Sequence, residues 1–468
     1  MKKSLIVLGA AAVVAAAAVP ALAFENEFHG MYRAFGYVSN VYSGGGTFNE
    51  NQRSASQNSN YIEQRARLQY IAKANDDLKL VTQFELDALF GGKNDAKYRF
   101  STDAGVLDAD GISFETKNVY LDFNVAAPLN VKIGIQPFTD NYQGVFGNFD
   151  GAGVVATGKF GILTPSLGWF RTNQDNVAAA AGTTNGGNIA YPIGKKSTDF
   201  TTVDIKAALS KDITVGGSYY LVTKDSVTGL LDANGAAPAG SGLPAARLIH
   251  TLGLNAAAKA GPAAINAFAA YQFGEFNATR DLSAYSAGVV AKVKAGPGNV
   301  NFSTLYLSGE KNTAGTDKYN GWQQIASSGT TSYFSASNMW LLIRNGATIN
   351  TSTSIGTNDL TKGGRGLLGV FAGYDGTAGK VFYAANAGYA QVAEKRGTEK
   401  GDIGTELNAT VGYKLYDSLS VSLNGAYAML GDGAKNAVAD GGLGFYAGPT
   451  KTTAVNPYAT FVKVDYTF

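Results

Sequence analysis

The chain contains no cysteine, and its 468 residues include only two histidines, four methionines and three tryptophans. Each shortage excludes a class of chemistry. Without cysteine there is no disulfide scaffold, no thiolate metal site, no C-x-x-C-H attachment of c-type haem and no lipid-modified N-terminal cysteine. His29 and His250 fall on different expected strands, and two histidines alone do not make a zinc or haem site. Beyond residue 23 no uninterrupted apolar run approaches the roughly 20 residues that a spanning helix needs. A mature chain in a membrane would therefore cross it with strands.

An excess of charge is missing as well. Lys2 and Lys3, the apolar stretch from Leu5 to Val19 and the Ala21-Leu22-Ala23 site read as a secretory signal peptide over 1–23. That leaves 24–468 as a single domain, since no linker or compositional break divides it. Losing the two lysines brings 38 basic residues down to 36, equal to the 36 acidic ones. A neutral mature chain carries no electrostatic footprint for nucleic acid.

What is abundant is glycine, tyrosine and phenylalanine, at 59, 25 and 25 residues. They recur in short segments of period two, the side-chain period of a strand. Tight connections at 75–77, 126–130, 161–164, 210–212, 260–262, 295–298, 375–378 and 416–418 carry turn residues. Between them lie longer Asn-, Gly-, Ser- and Thr-rich stretches at 39–60, 88–111, 137–151, 172–199, 223–249, 274–282, 309–365, 391–402 and 431–455. Eight short turns and nine long loops make eighteen strands, with sixteen or twenty as neighbouring counts. The expected fold is all-β: a transmembrane antiparallel β-barrel with short periplasmic turns, long extracellular loops and both termini periplasmic. A soluble β-sandwich would also alternate. The signal peptide, the turn asymmetry and the repeated opposite charges favour the barrel.

The first hairpin tests the facing. Ile62, Ala66, Leu68 and Tyr70 alternate with Glu63, Arg65, Arg67 and Gln69; further on, Leu80, Phe84 and Leu86 alternate with Lys79, Gln83, Glu85 and Asp87. Both polar sets are odd-numbered, so a three-residue Asn75-Asp76-Asp77 turn sets Arg67 opposite Glu85, Arg65 opposite Asp87 and Gln69 opposite Gln83. Each opposed pair contributes about 0.2–1 kcal/mol. Asp122, Lys132 and Gln136 continue the polar face on the next two strands, while Glu115 and Lys117 interrupt the alternation and are assigned to a position above the apolar band. At the far end, Phe468, Tyr466, Val464 and Val462 form an apolar face, and Lys463 and Asp465 point the other way towards Arg33 on the first strand. A final strand ending on an aromatic suits a barrel whose last strand closes on its first.

The terminal Tyr466 and Phe468 resemble the closing-strand signature of Gram-negative outer-membrane proteins. Gly30-Met-Tyr-Arg33, Arg65 and Arg67, Gln83-Phe-Glu85 and the Lys132-Ile-Gly-Ile-Gln-Pro-Phe138 segment resemble the outer-membrane porins, with a general likeness to those of anaerobic metal-reducing bacteria. The resemblance implies a water-filled channel, commonly a homotrimer, set in lipid and lipopolysaccharide. Two features depart from it. General porins have sixteen strands, and their third loop is a long inward constriction, whereas the loop after Gln136 is short. The 309–365 loop, with Trp322, Trp340 and Arg344, is the longest and is a candidate to plug or cap the mouth.

Other chemistry finds little support. Gly364-Arg-Gly366-Leu-Leu-Gly369 matches GxGxxG but leads into an expected strand instead of a helix. Asp108 and Asp110 resemble a fragment of a calcium loop, for which a plain surface loop is the simpler reading. No metal, cofactor or enzyme activity is expected. The expected function is passive diffusion of ions and small hydrophilic solutes, with Arg33, Glu63, Arg65, Arg67, Gln69, Lys79, Gln83, Glu85, Asp87, Asp122, Lys132, Gln136, Lys463 and Asp465 lining the pore and no strong ion preference. Two rivals stand beside it: a structural barrel that sheathes an electron-transfer cytochrome or anchors a surface layer, and a barrel enzyme.

Overall fold

The computed structural model describes residues 25–40, 58–92, 107, 113–174, 197–224, 248–277, 280–312, 318–325, 332–343, 361, 363–436, 438–443 and 455–468. They form eighteen antiparallel strands: β1 (Glu25–Ser39), β2 (Ser59–Asn75), β3 (Leu78–Leu89), β4 (Ser113–Ala126), β5 (Leu129–Thr139), β6 (Asn148–Gly158), β7 (Leu163–Gln174), β8 (Ser197–Ala208), β9 (Ile213–Lys224), β10 (Leu248–Ala260), β11 (Ala263–Asn277), β12 (Arg280–Ala295), β13 (Gly298–Leu307), β14 (Leu367–Ala378), β15 (Val381–Gln391), β16 (Asp402–Tyr416), β17 (Leu419–Leu430) and β18 (Tyr458–Thr467). Each strand pairs with its neighbours in sequence, and β18 pairs with β1 from Met31↔Thr467 to Ser39↔Ala459, which closes the barrel. The seam is finished by Gly30 and Phe468, whose amides each donate to the other's carbonyl at 2.9 and 3.1 Å.

Period-two alternation sorts the side chains between the two faces of this wall. Leu121, Ile133, Ile135, Leu167, Ile205, Leu254, Val411, Leu423 and Val462 stay exposed on the outside. Soluble monomers do not carry a continuous apolar surface of that extent. A bilayer requires it. The alternate positions turn inward, where Phe35, Tyr37, Phe170, Phe200, Tyr220, Phe268, Phe371 and Phe461 are buried.

The first hairpin has the expected register, with Arg65↔Asp87, Arg67↔Glu85 and Gln69↔Gln83. Its turn is tighter than expected: the register shifts between Lys73 and Asn75, and Asn75 pairs with Leu78. Only Asp76 and Asp77 are left to turn, with the Asp77 amide donating to Asn75 Oδ1 at 2.8 Å. Three other expectations are corrected. Asp375 to Ala378 belong to β14, and the turn falls at Gly379-Lys380, where Gly379 takes φ +59°. An Asp-Gly pair is a strong turn signal, but Asn299, Asn301 and Lys292 hold Asp375 on the wall instead. The 274–282 stretch is mostly strand, because β11 runs to Asn277 and β12 starts at Arg280. The break at Glu115 and Lys117 comes from a bulge: Gln83 pairs with Asn118 but Phe84 with Thr116, so Lys117 is passed over.

Gly30 and Gly36 both lie on β1 but meet different surroundings. A Cβ on Gly30 would stand 2.6 Å from both Arg67 O and Phe468 Cζ, whereas one on Gly36 would meet only Ile62 Cγ1 at 3.8 Å. Gly30→Val should therefore lower barrel stability by about 1–3 kcal/mol through overpacking at the seam, while Gly36→Val should be nearly neutral. Urea midpoints read by the gel shift between folded and heat-unfolded barrel would check this, and equal losses at both positions would sink it.

Candidate functional site

The inner wall from β18 through β5 carries a continuous row of ion pairs. Arg33 Nε donates to Asp465 Oδ1 at 2.9 Å, and Lys463 Nζ lies 3.1 Å from Asp465 Oδ2. One strand on, Arg65 grips Asp87 with two bonds of 2.7 and 2.6 Å and also reaches Glu85 at 2.9 Å; Arg67 bonds the other oxygen of Glu85. Lys79 and Lys132 approach Asp122 Oδ2 at 3.4 and 3.9 Å, and Asn130 donates to its Oδ1. Gln69 and Gln83 oppose each other by register. Gln136 is buried, donating to Gly153 O at 3.0 Å. Glu63 is also buried, and its Oε2 has no hydrogen-bond partner. Tyr466 and Phe468 stack at 5.5 Å on the outer face. Asp108, Asp110 and Arg344 lie outside the described residues.

These pairs do not share one geometry. Arg65 and its partners are sealed, each less than a tenth exposed. In the pairs around Asp465, Glu85 and Asp122 the cation is the more open partner, whereas at the end of β1 and β2 Lys73 is 29 % exposed against 69 % for Glu25. The side chains of Arg33, Arg67, Lys79, Lys132 and Lys463 are between 23 and 40 % exposed, whereas Asp465, Glu85 and Asp122 are between 5 and 16 %. The acids lie against the sheet and the bases stand in front of them.

Two loops fold into the barrel. The first, Asp140 to Gly147 between β5 and β6, is short, and it nevertheless points inward. Asp140 organises it: Oδ1 accepts the amides of Tyr142 and Gly144 at 2.7 and 2.8 Å, and Oδ2 those of Phe146 and Gly147, both at 2.7 Å. Gln143 and Gly144 take φ +65° and +84°, the left-handed bends that turn the chain about the carboxylate. Burial pushes the Asp140 carboxyl up to about 6 against the pull of the four amides, so the anion holds the loop at neutral pH. Tyr142 and Phe146 thereby seat against Tyr220, Phe200 and Phe268 of the wall.

The second is the long connection from β13 to β14. Its described pieces dock on the first loop and on the wall. Ile325 and Tyr333 amides donate to Phe146 O and Gly144 O, both at 3.0 Å. Gln272 of β11 exchanges two bonds with the Gln323 backbone, at 2.9 and 2.8 Å. Trp322, Phe334 and Met339 to Ile343 are almost wholly buried. This loop is the sequence candidate to plug or cap the mouth; its described pieces pack on the inner wall, where Trp340 stands 5.4 Å from the Phe461 ring.

Sequence reasoning passed over Asp140, Gln272 and Glu406, the wall and loop groups that hold these segments. Only Asp140 carried a local signal, an Asp followed by Asn and Gly in a turn-like run. The formal GxGxxG is a rim turn: Gly364 and Gly366 take φ +81° and +69°, and Arg365 between them pairs with Glu399. Among the described residues no group of three or more His, Cys, Asp or Glu could hold a metal. His250 bonds Tyr219 and stacks on Phe273.

A closed eighteen-stranded antiparallel barrel with an apolar exterior, an ion-paired interior and two inward loops is the architecture of a membrane-spanning β-barrel. The chain matches no family model and no curated protein. Its fold is shared with solved porin structures. OccK5 (OpdH) of Pseudomonas aeruginosa aligns at 10 % identity over 95 % of this chain and 98 % of its own, with a TM-score of 0.51. The BenF-like porin of Pseudomonas fluorescens Pf-5 aligns at 11 % over 95 % and 98 %, with a TM-score of 0.54. OccK2 (OpdF) of P. aeruginosa, solved with glucuronate, aligns at 11 % over 95 % and 98 %, with a TM-score of 0.52. At this identity the likeness is one of fold.

Asp140→Ala would orphan four amides, each costing about 1–3 kcal/mol when buried without a partner. The 140–147 loop should leave the wall, giving larger and noisier single-channel currents with barrel unfolding little changed. Currents and noise equal to those of the unaltered protein would refute this role for Asp140.

Proposed function

We propose that the protein is an outer-membrane porin that passes small hydrophilic solutes by passive diffusion, with a preference for anions. The observation that carries this reading is the unequal exposure along the ion-paired wall. Formal charge is balanced, which by itself argued for no strong ion preference. A solute in the lumen, however, meets lysine and arginine ends before it meets their acids. Exposed charges act over roughly 8–10 Å at physiological salt, so the group nearest the solute dominates. A structural neighbour that was solved with glucuronate, a carboxylate, is in keeping with this preference.

In this reading the short-turn rim and both termini face the periplasm, the long loops face outward, and the apolar belt meets lipid and lipopolysaccharide. Residues 1–23 act as the export signal. A homotrimer is the assembly we favour by analogy with porins. Sheathing a cytochrome asks for an unobstructed bore, and the two inward loops argue against it.

Planar-bilayer recording of the purified protein tests the proposal. Stable ohmic steps with an anion-selective reversal potential are expected, and a protein that never conducts would remove the channel reading. The double variant Lys79→Glu/Lys132→Glu should move the reversal potential towards cations; an unchanged value would remove these side chains from the conducting path. Arg65→Glu should act differently. It replaces the cation of a sealed cluster, and breaking such a pair costs about 3–5 kcal/mol, so the expected result is a poorly folded barrel and not a retuned one.

A further inference from the structure

We infer that Glu406 of β16 is a positioning residue that sets the aperture of the channel by holding the 338–342 segment inside the barrel. The inference rests on the channel reading above and adds the wall group that determines how wide the channel is.

Glu406 is fully buried on the inner face. Its Oε1 accepts the Trp340 amide at 2.7 Å, and its Oε2 accepts those of Leu341 and Leu342 at 2.9 and 2.8 Å. Three consecutive amides converging on one carboxylate form an anion nest. The anion here is tethered to the wall. Asn408, two residues along the same face, bridges Glu406 Oε1 and Asn338 O, both at 2.9 Å, which fixes the bend where Asn338 takes φ +54°.

The wall around Glu406 is shaped to receive this segment. Its register partners are Gly388 on β15 and Ala428 on β17. A Cβ at Gly388 would stand 2.6 Å from Met339 Sδ and 2.4 Å from Phe371 Cδ1. Small residues flank the carboxylate, so the segment lies directly on the sheet. Trp340 of the segment stands 5.4 Å from the Phe461 ring, and two residues before the segment Ala336 O accepts from the Ser303 hydroxyl at 2.7 Å. The two oxygens of Glu406 thus accept three backbone amides and the Asn408 side-chain amide.

Glutamine has nearly the same shape but presents one acceptor oxygen, and its NH2 would face at least one of the amides. Glu406→Gln should therefore release the segment without disturbing β16. The occupancy of a wider conducting state should rise about tenfold, the factor expected from leaving one buried amide unpaired. Because the chain has no cysteine, a Ser303→Cys/Ala336→Cys pair in the Glu406→Gln background can tie the segment down again on oxidation. The expected result is enlarged conductance for Glu406→Gln, reversed by oxidation of the pair and regained on reduction. An unaltered protein that conducts, together with a folded Glu406→Gln variant of identical conductance, would overturn the inference and leave the channel reading standing. Enlarged conductance that oxidation fails to reverse would also overturn it, because the segment would then not be the cause. Failure of every variant and of the unaltered protein to conduct would instead overturn the channel reading on which the inference depends.

Discussion

A sheet that faces hydrocarbon cannot leave a backbone edge open, because an unpaired amide or carbonyl there costs several kcal/mol and has no water to turn to. That requirement organises this protein. It brings β18 onto β1, with Gly30 and Phe468 closing the last pair of backbone bonds. An antiparallel closed sheet of even strand number puts both chain ends on one rim. Once the wall is closed, alternation along each strand divides every side chain between lipid and lumen, and the ion-paired row from Lys463 to Lys132 follows from that division.

The interior is held together by a different device. Along the wall, acids meet guanidinium and ammonium groups. At the two inward loops, Asp140 and Glu406 meet backbone amides, four in one case and three in the other. A loop inside a barrel has amides that no strand can satisfy, and a buried carboxylate satisfies several of them at once. Charge-assisted bonds of this kind are roughly twice as strong as neutral ones. The same arrangement gathers several backbone amides of each loop onto one side chain.

Selectivity separates charge balance from charge presentation. The wall is close to neutral by count, and a count cannot tell which member of a pair stands nearer the solute. Acids are short and sit against the sheet, whereas lysine and arginine have long stems that carry the charge outward. A balanced row of pairs on a concave wall therefore presents a basic surface, and the sealed Arg65 cluster contributes rigidity to that row more than field.

Much of the fold was legible in the residues themselves. Period-two alternation, turn residues at regular intervals and a final strand ending on Phe468 are local signals, and strand pairing is local wherever a short turn joins neighbours. Parity with a three-residue turn puts Arg65 opposite Asp87, and the bulge beside the actual two-residue turn keeps that register. Signals that depend on cross-strand company were misread: Asp375-Gly376 looks like a turn until Asn299 and Asn301 are beside it, and Lys117 looks misplaced until the bulge opposite Phe84 is seen. The sequence by itself determined the architecture, the two faces of the wall and the charges on its first strands, because each follows from spacing along the chain. Only the tertiary structure decided which member of each ion pair is the more exposed, that a short loop after β5 turns inward, and that Glu406 bonds the long one. Those depend on distances between residues far apart in sequence, which no local pattern records.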